Sequence, residues 1–501
     1  MSSEDNSSEE NISSRVMKGA AWMAFTRFGT RLLGMLSTIV LARLLVPEDF
    51  GIVAIASSYY AILEGMSQFN SRQALIKYRD AGDNDYNTAW TLNICRGILV
   101  CVAILASTFF VPDIVSEPRV AHVILLMAVI PLIDGFENPR FVVFEKNLDF
   151  TREMVITLGT KLLTLTVTIY LAFTLRSYWA MIIGLVFGSA SRMTISYLMI
   201  PYLPRFCFAS FDRIFSFSGW MSGVNILQSL STNLDKFFVA HFLGTAATGI
   251  YHIGKTVAFM PTYELVMPLN RALYPGFAMI AGKRDYMREK VLESAQFLAG
   301  LSQPIGIGFA LIAPEFIYLV YGPNWLDAIP IVQILAAASA FSMMGSIAIF
   351  VAMAHGDTKY LFFRELMMFL ALPVFVITGV HYFGFIGAVY GIAARQILQL
   401  VLNMLIVQKL LDLPLLRLMF APWRSMVSAA VMALCLLVLN SYLPHETIAD
   451  KSLTLTAKIG CGVLTYAVTH ILLWIMAGKP KGFEHRLSGI IEKKFLRRSQ
   501  A

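Results

Sequence analysis

The chain has 501 residues, of which 57% are hydrophobic and only 14% charged, with 40 basic residues against 32 acidic. A soluble globular chain carries roughly 25% charged residues, so this surface is not built for water, and intrinsic disorder is excluded with it. The pI near 9.1 does not indicate a nucleic-acid binder, because the basic residues do not gather into one patch.

The first 14 residues, MSSEDNSSEENISS, are serine-rich and acidic and are expected to form a disordered cytoplasmic tail. The sequons at Asn6 and Asn11 carry no weight in a segment that is not exported. From about residue 20 the chain is a succession of apolar stretches of 19 to 29 residues: 22–46, 51–70, 88–111, 121–139, 154–175, 179–200, 214–242, 248–274, 292–320, 328–353, 365–383, 385–408, 425–443 and 455–477. At 1.5 Å per residue each can cross a hydrocarbon layer of roughly 30 Å. The expected fold class is an all-α polytopic membrane protein with about fourteen transmembrane helices. Cys95, Cys101, Cys207, Cys435 and Cys461 form no CxxC pair and lie mostly inside apolar runs, as small hydrophobes.

Lys and Arg are retained on the cytoplasmic side of a membrane protein. With the N-terminus inside, the cytoplasmic segments hold 26 of them and the opposite loops hold 3, namely Arg119, Arg176 and Lys451. Both termini are therefore expected in the cytoplasm. Ala42, Leu45, Gly51 and Ile52, at the turn between spans 1 and 2, recur 198 residues later as Ala240, Leu243, Gly249 and Ile250, between spans 7 and 8. Two parallel repeats of six helices follow, an N-lobe over 15–213 and a C-lobe over 214–411. Spans 13 and 14 (412–478) are an appendix, and 479–501 is a basic cytoplasmic tail.

No phosphate loop, HExxH, GxSxG elbow or metal-spaced Cys/His cluster is present, and His445–Glu446 lacks the second histidine. No cofactor or metal is expected, and transport would draw on an ion or substrate gradient or the membrane potential. The informative residues are ionisable ones inside the spans, each costing about 2.5–3.5 kcal/mol at a helix centre unless it meets water or a partner. Arg31, Arg96 and Arg395 lie roughly 12–15 Å deep at helical rise. Lys161, Arg192 and Lys255 are comparably deep, and Arg27 shares a face with Arg31 four residues on. These cations line a wet cavity, pair internally, or, at the shallower positions, snorkel. The deep acids are fewer: Glu64, Asp235 and Glu264, with Asp134 and Glu137 nearer the inner end of span 4. The three deep acids are candidates for ion coupling, by Na+ or H+, or for pairing with the cations. A cation excess suits a polyanion such as pyrophosphate, whose oxygens match the guanidinium fork. Prolines at 131, 261, 268, 304, 330 and 373 interrupt helical spans. Pro261 and Pro268 are the candidate hinges of alternating access.

LARLLVPEDFG (Leu41 to Gly51), FEKNLDF (Phe144 to Phe150), NLDKFFVAHFLGTAATGIY (Asn233 to Tyr251), LYPGFA (Leu273 to Ala278) and YGPNWLDAIPIVQILA (Tyr321 to Ala336) resemble the polysaccharide transporter branch of the multidrug/oligosaccharidyl-lipid/polysaccharide exporter superfamily. The likeness is to flippases of colanic acid and succinoglycan type, from about Ser14 to the last span. It implies two six-helix lobes in a V around a central cavity, with two further helices. It implies a polyprenyl-pyrophosphate-linked oligosaccharide flipped from the cytoplasmic to the periplasmic leaflet of the inner membrane. The partners implied are that lipid-linked sugar, membrane lipids, and polysaccharide polymerase and export machinery, with the transporter a monomer. In related lipid flippases a basic cavity takes the pyrophosphate and spans 13 and 14 form a groove for the lipid tail. Arg27 and Arg31 match the basic character of the first helix, and Asp235 matches the aspartate of an N-x-D element. Ala240 stands where that element often has glycine. Two competing readings are an exporter of cationic drugs, which would want acids and aromatics in its cavity, and a polytopic polymerase or ligase. The latter would want a large outside loop, and the longest expected here has about eleven residues.

Overall fold

A computed structural model describes residues 3–67, 71–78, 80–108, 117–146, 150–215, 219–280, 282–357, 359–443 and 447–480. Among them every element is helical. The long helices are α1 (Ser3–Leu44), α2 (Pro47–Ser67), α3 (Asp83–Ser107), α4 (Pro118–Gly135), α5 (Phe150–Leu175), α6 (Trp179–Met199), α7 (Gly219–Met279), α8 (Arg284–Val320), α9 (Pro323–Ala354), α10 (Lys359–Leu411), α11 (Trp423–Asn440) and α12 (Ile448–Met476). Ten helical segments among the described residues are long and apolar enough to cross a membrane, against the fourteen expected spans. α10 enters that count once. Yet its 53 residues would run roughly 80 Å, more than twice a hydrocarbon core, and it is broken at Gly384 (φ 58°, ψ −136°). The 61 residues of α7 are broken likewise at Gly244 (φ 81°, ψ 179°). Both breaks need the positive φ that glycine adopts without penalty, and both fall between expected spans, 383 to 385 and 242 to 248.

Local chemistry explains the helix starts. Pro118 opens α4, with Glu117 accepting from the backbone of Arg119. Asp83 and Asp85 occupy the first turn of α3, where the helix dipole favours negative charge. Thr447 and Asp450 form a reciprocal capping box at α12, seven residues before the span expected from hydropathy. Proline acts less uniformly than expected. Pro131 follows a break in α4 at Ala128, whereas Pro330 sits in the first turn of the helix Ile329–Ser342, where its missing N–H is harmless. α8 continues through Pro304 and Pro314. The backbone is also helical through the serine-rich start from Ser3, which the sequence reading left disordered.

Two compact units divide the chain, Met1–Gly249 and Ile250–Ala501, so the expected span 214–242 belongs with the first. In the first, Ile52, Ile55, Ile104, Ile124, Met127 and Ile182 are fully buried together. The second buries Met287, Val291, Leu298, Val351 and Leu411. Outward faces are the reverse of a soluble protein's: on α12, Leu464, Val468, Leu472 and Ile475 are all exposed, an apolar stripe suited to lipid. The internal repeat has a packing reason inside the first unit. A side chain begun at Gly51 would collide with the carbonyl of Thr245, and one begun at Gly249 with the carbonyl of Pro47. The repeated glycines are thus the points where two equivalent turns touch backbone to backbone.

Candidate functional site

Within the first unit, α2, α3, α4 and α6 line a half-open polar cavity of about 520 Å³, together with the short helix Ser71–Lys77 and the turn Pro139–Phe141. Helical spacing delivers its lining. Ala89, Asn93 and Arg96 share a face of α3, Ser189 and Arg192 are one turn apart on α6, and Asp134 and Glu137 are one turn apart where α4 ends. Glu64, in the last turns of α2, meets Arg96 in an ion pair. Arg192 Nε lies 3.0 Å from Glu137 Oε1. Tyr60 donates to Asp134 Oδ2 at 3.5 Å, and Ser71 donates to Asn93 Oδ1 at 3.1 Å. Arg72 forks onto Glu145 at 2.6 and 3.1 Å and reaches Glu153 on α5 at 3.3 Å. Asn138 ties the cavity floor to α6 by donating to the carbonyls of Ser196 and Ile200.

Three arginines (72, 96 and 192) therefore face three carboxylates (64, 134 and 137) across one space. The lining itself carries no cation excess, although the sequence alone points to one, and Arg72 is further held by Glu145 and Glu153 behind it. Two polar atoms in the wall, Glu64 Oε2 and Arg96 Nε, are buried with no hydrogen-bond partner among the described residues.

The seven expected cavity cations separate into three settings. Arg96 and Arg192 are brought together in this cavity and paired with acids. Arg27 and Arg31 are exposed on α1, which packs along α5. There the Lys161 side chain reaches to within 4.0 Å of where a side chain at Gly34 would begin, one turn beyond Arg31. In the second unit, Lys255 sits over the Tyr251 ring at 5.7 Å, and Arg395 donates to the Met368 carbonyl at 3.2 Å across the two arms of α10. Of the expected acids, Glu64 lines the cavity, Asp235 is fully buried and Glu264 half-buried on α7. The backbone of α7 is helical through Pro261 and Pro268, its non-helical residue being Gly244. The side chains of Pro268 and Arg271 lie outside the described residues, as do His445, Glu446 and the basic tail from 481.

Sequence reasoning missed Arg72, Asn93 and Ser189. By sequence Arg72 is one of the 26 basic residues that mark orientation. It also missed two buried clusters in the second unit. Lys458 on α12 pairs with Glu315 on α8 at 2.6 Å, the side chains 4% and 6% exposed. Arg364 pairs with Glu365 and donates to Asn403 Oδ1 at 2.9 Å. A lysine inside an apolar run was the available signal for the first.

The chain is 24% identical to the lipopolysaccharide biosynthesis protein WzxC of Escherichia coli over 80% of this chain and 82% of that one. It is 21% identical to the succinoglycan biosynthesis transport protein ExoT of Rhizobium meliloti over 91% and 93%. Its fold is similar to that of the lipid II flippase MurJ in an inward closed conformation, with a TM-score of 0.73 and 13% identity over 90% of this chain and 98% of that one. An inward-facing multidrug resistance transporter of the MATE family, in the MOP superfamily, aligns at a TM-score of 0.58 and 14% identity over 77% and 98%. A model of the family described as polysaccharide biosynthesis protein matches residues 40–330, more than half of the sequence. This chain, a multi-pass helical membrane protein, belongs to the polysaccharide biosynthesis protein family.

Proposed function

We propose that the protein is a transporter, not an enzyme, that flips polyprenyl-pyrophosphate-linked oligosaccharide from the cytoplasmic to the periplasmic leaflet of the bacterial inner membrane by alternating access. Both termini lie in the cytoplasm in this reading, as the 26-to-3 distribution of basic residues favours. The observation that carries it is the basic strip of the first unit. Arg27, Arg31 and Lys161 lie on the adjacent helices α1 and α5, Arg31 and Lys161 deep in their spans. A cation at that depth is costly in lipid, and a pyrophosphate offers oxygens that a guanidinium fork and an ammonium both satisfy. Relatives named for polysaccharide biosynthesis and transport, and the flippase fold, support the cargo class. Within the second unit, Lys255 and Arg395 are the candidates for anion binding, and α11 and α12 for the lipid tail. Glu64, Asp235 and Glu264 remain the candidates for Na+ or H+ coupling. The cation excess of the strip disfavours a cationic drug as cargo.

The test is a strain lacking the gene, complemented with charge-reversed chains. Arg31→Glu together with Lys161→Glu should leave the protein in the membrane and the lipid-linked oligosaccharide inaccessible from outside. Normal exposure of the oligosaccharide with the doubly reversed protein would remove the strip from the site.

A further inference from the structure

The 520 Å³ cavity does not fit the part of the cargo that the basic strip takes. Its three arginines are matched by three carboxylates, so a pyrophosphate placed there would meet as much repulsion as attraction. A monovalent or divalent ion would leave most of the volume empty, and an apolar ligand would strand the charged walls. What such a wall suits is an uncharged polyol. Each hydroxyl both donates and accepts, and the wall alternates guanidinium donors with carboxylate, amide and hydroxyl groups that include Asn93 and Ser189. The volume is that of an ordinary small-molecule pocket.

We propose that this cavity is a saccharide pocket that seats the uncharged sugars next to the pyrophosphate, so that the headgroup is read in two places, anion on the α1–α5 strip and sugar between α2, α3, α4 and α6. The proposal rests on the flippase reading for its cargo. Continuity between the two places runs along α5. Arg72 in the cavity wall touches Glu153 at 3.3 Å, and Lys161 follows eight residues later, about 12 Å along the helix.

The experiment uses the full chain in lipid nanodiscs and calorimetric titration. The probe is the oligosaccharide released by mild acid from the producing strain's own lipid-linked pool, which carries no phosphate. The expected result is saturable binding that excess inorganic pyrophosphate does not displace. Asn93→Ala and Glu137→Gln, each checked for monodispersity, should weaken it about tenfold, the loss of one hydrogen bond to a charged or polar wall. No binding by the parent, displacement by pyrophosphate, or unchanged affinity in both variants overturns the proposal. Flipping is measured on the same preparation in proteoliposomes. Flipping without saccharide binding overturns the pocket alone, and saccharide binding without flipping overturns the transport reading alone.

Discussion

Lys458→Met tests whether α12 is fastened to α8 by a buried ion pair. Lys458 Nζ sits 2.6 Å from Glu315 Oε1, the two side chains are 4% and 6% exposed, and the ammonium also approaches the Leu311 carbonyl at 3.4 Å. At that separation the attraction is about 6 kcal/mol for an effective dielectric constant of about 20. Most of it is offset by the desolvation of both ions, so the intact pair adds little. Removing the lysine alone is different. It strands a buried carboxylate whose Oε2 already has no partner among the described residues, and the expected loss is about 3–5 kcal/mol. Adding Glu315→Met removes the stranded charge, and the double variant should return to within about 1 kcal/mol of the parent. The measurement is equilibrium unfolding in mixed micelles for the parent, both single variants and the double, closed as a double-mutant cycle. If Lys458→Met unfolds where the parent does, or the double variant loses the sum of the singles, the pair is not what holds these helices.

Further outcomes follow from the same reasoning. Arg96→Met should destabilise more than Arg192→Met, because Arg96 is 11% exposed against 40% for Arg192. The first should approach the loss of a buried partner, about 3 kcal/mol, and the second should stay within about 1 kcal/mol; equal losses in a micelle unfolding assay would contradict the assigned burial. Gly51→Ala and Gly249→Ala should each cost about 1–3 kcal/mol through overpacking, since both meet backbone carbonyls. An alanine at either position with unchanged thermal stability would mean that the two turns do not touch. Gly384→Ala, at a positive φ with open space around it, should cost about 1–3 kcal/mol from backbone strain alone, and unchanged thermal stability would mean that the break does not hold that conformation.

Hydropathy and charge made the helical architecture legible, and the breaks in α7 and α10 fall in the gaps between expected spans, although the glycines that make them, Gly244 and Gly384, emerge only from the backbone. The repeat was legible because a backbone contact tolerates only glycine at Gly51 and Gly249. Pairing was not. Counting residues from a span end gives the depth of Arg96 or Arg192 but not the direction in which the side chain points, so Glu64 and Glu137 as their partners could not be read. Arg72 falls in a segment that hydropathy treats as loop, and only the short helix Ser71–Lys77 turns it into the cavity. Lys458 was overlooked because the span was expected to begin at 455. The helix starts at 448 under its Thr447 cap, which places the lysine well inside.

The central claim is tested most directly in proteoliposomes containing the purified chain and the producing strain's lipid-linked oligosaccharide, by following how much of the glycan becomes accessible to a membrane-impermeant glycosidase. Protein-dependent exposure of the inner-leaflet pool, abolished by Arg31→Glu with Lys161→Glu, is the predicted result. Exposure no faster than in protein-free liposomes would contradict the account.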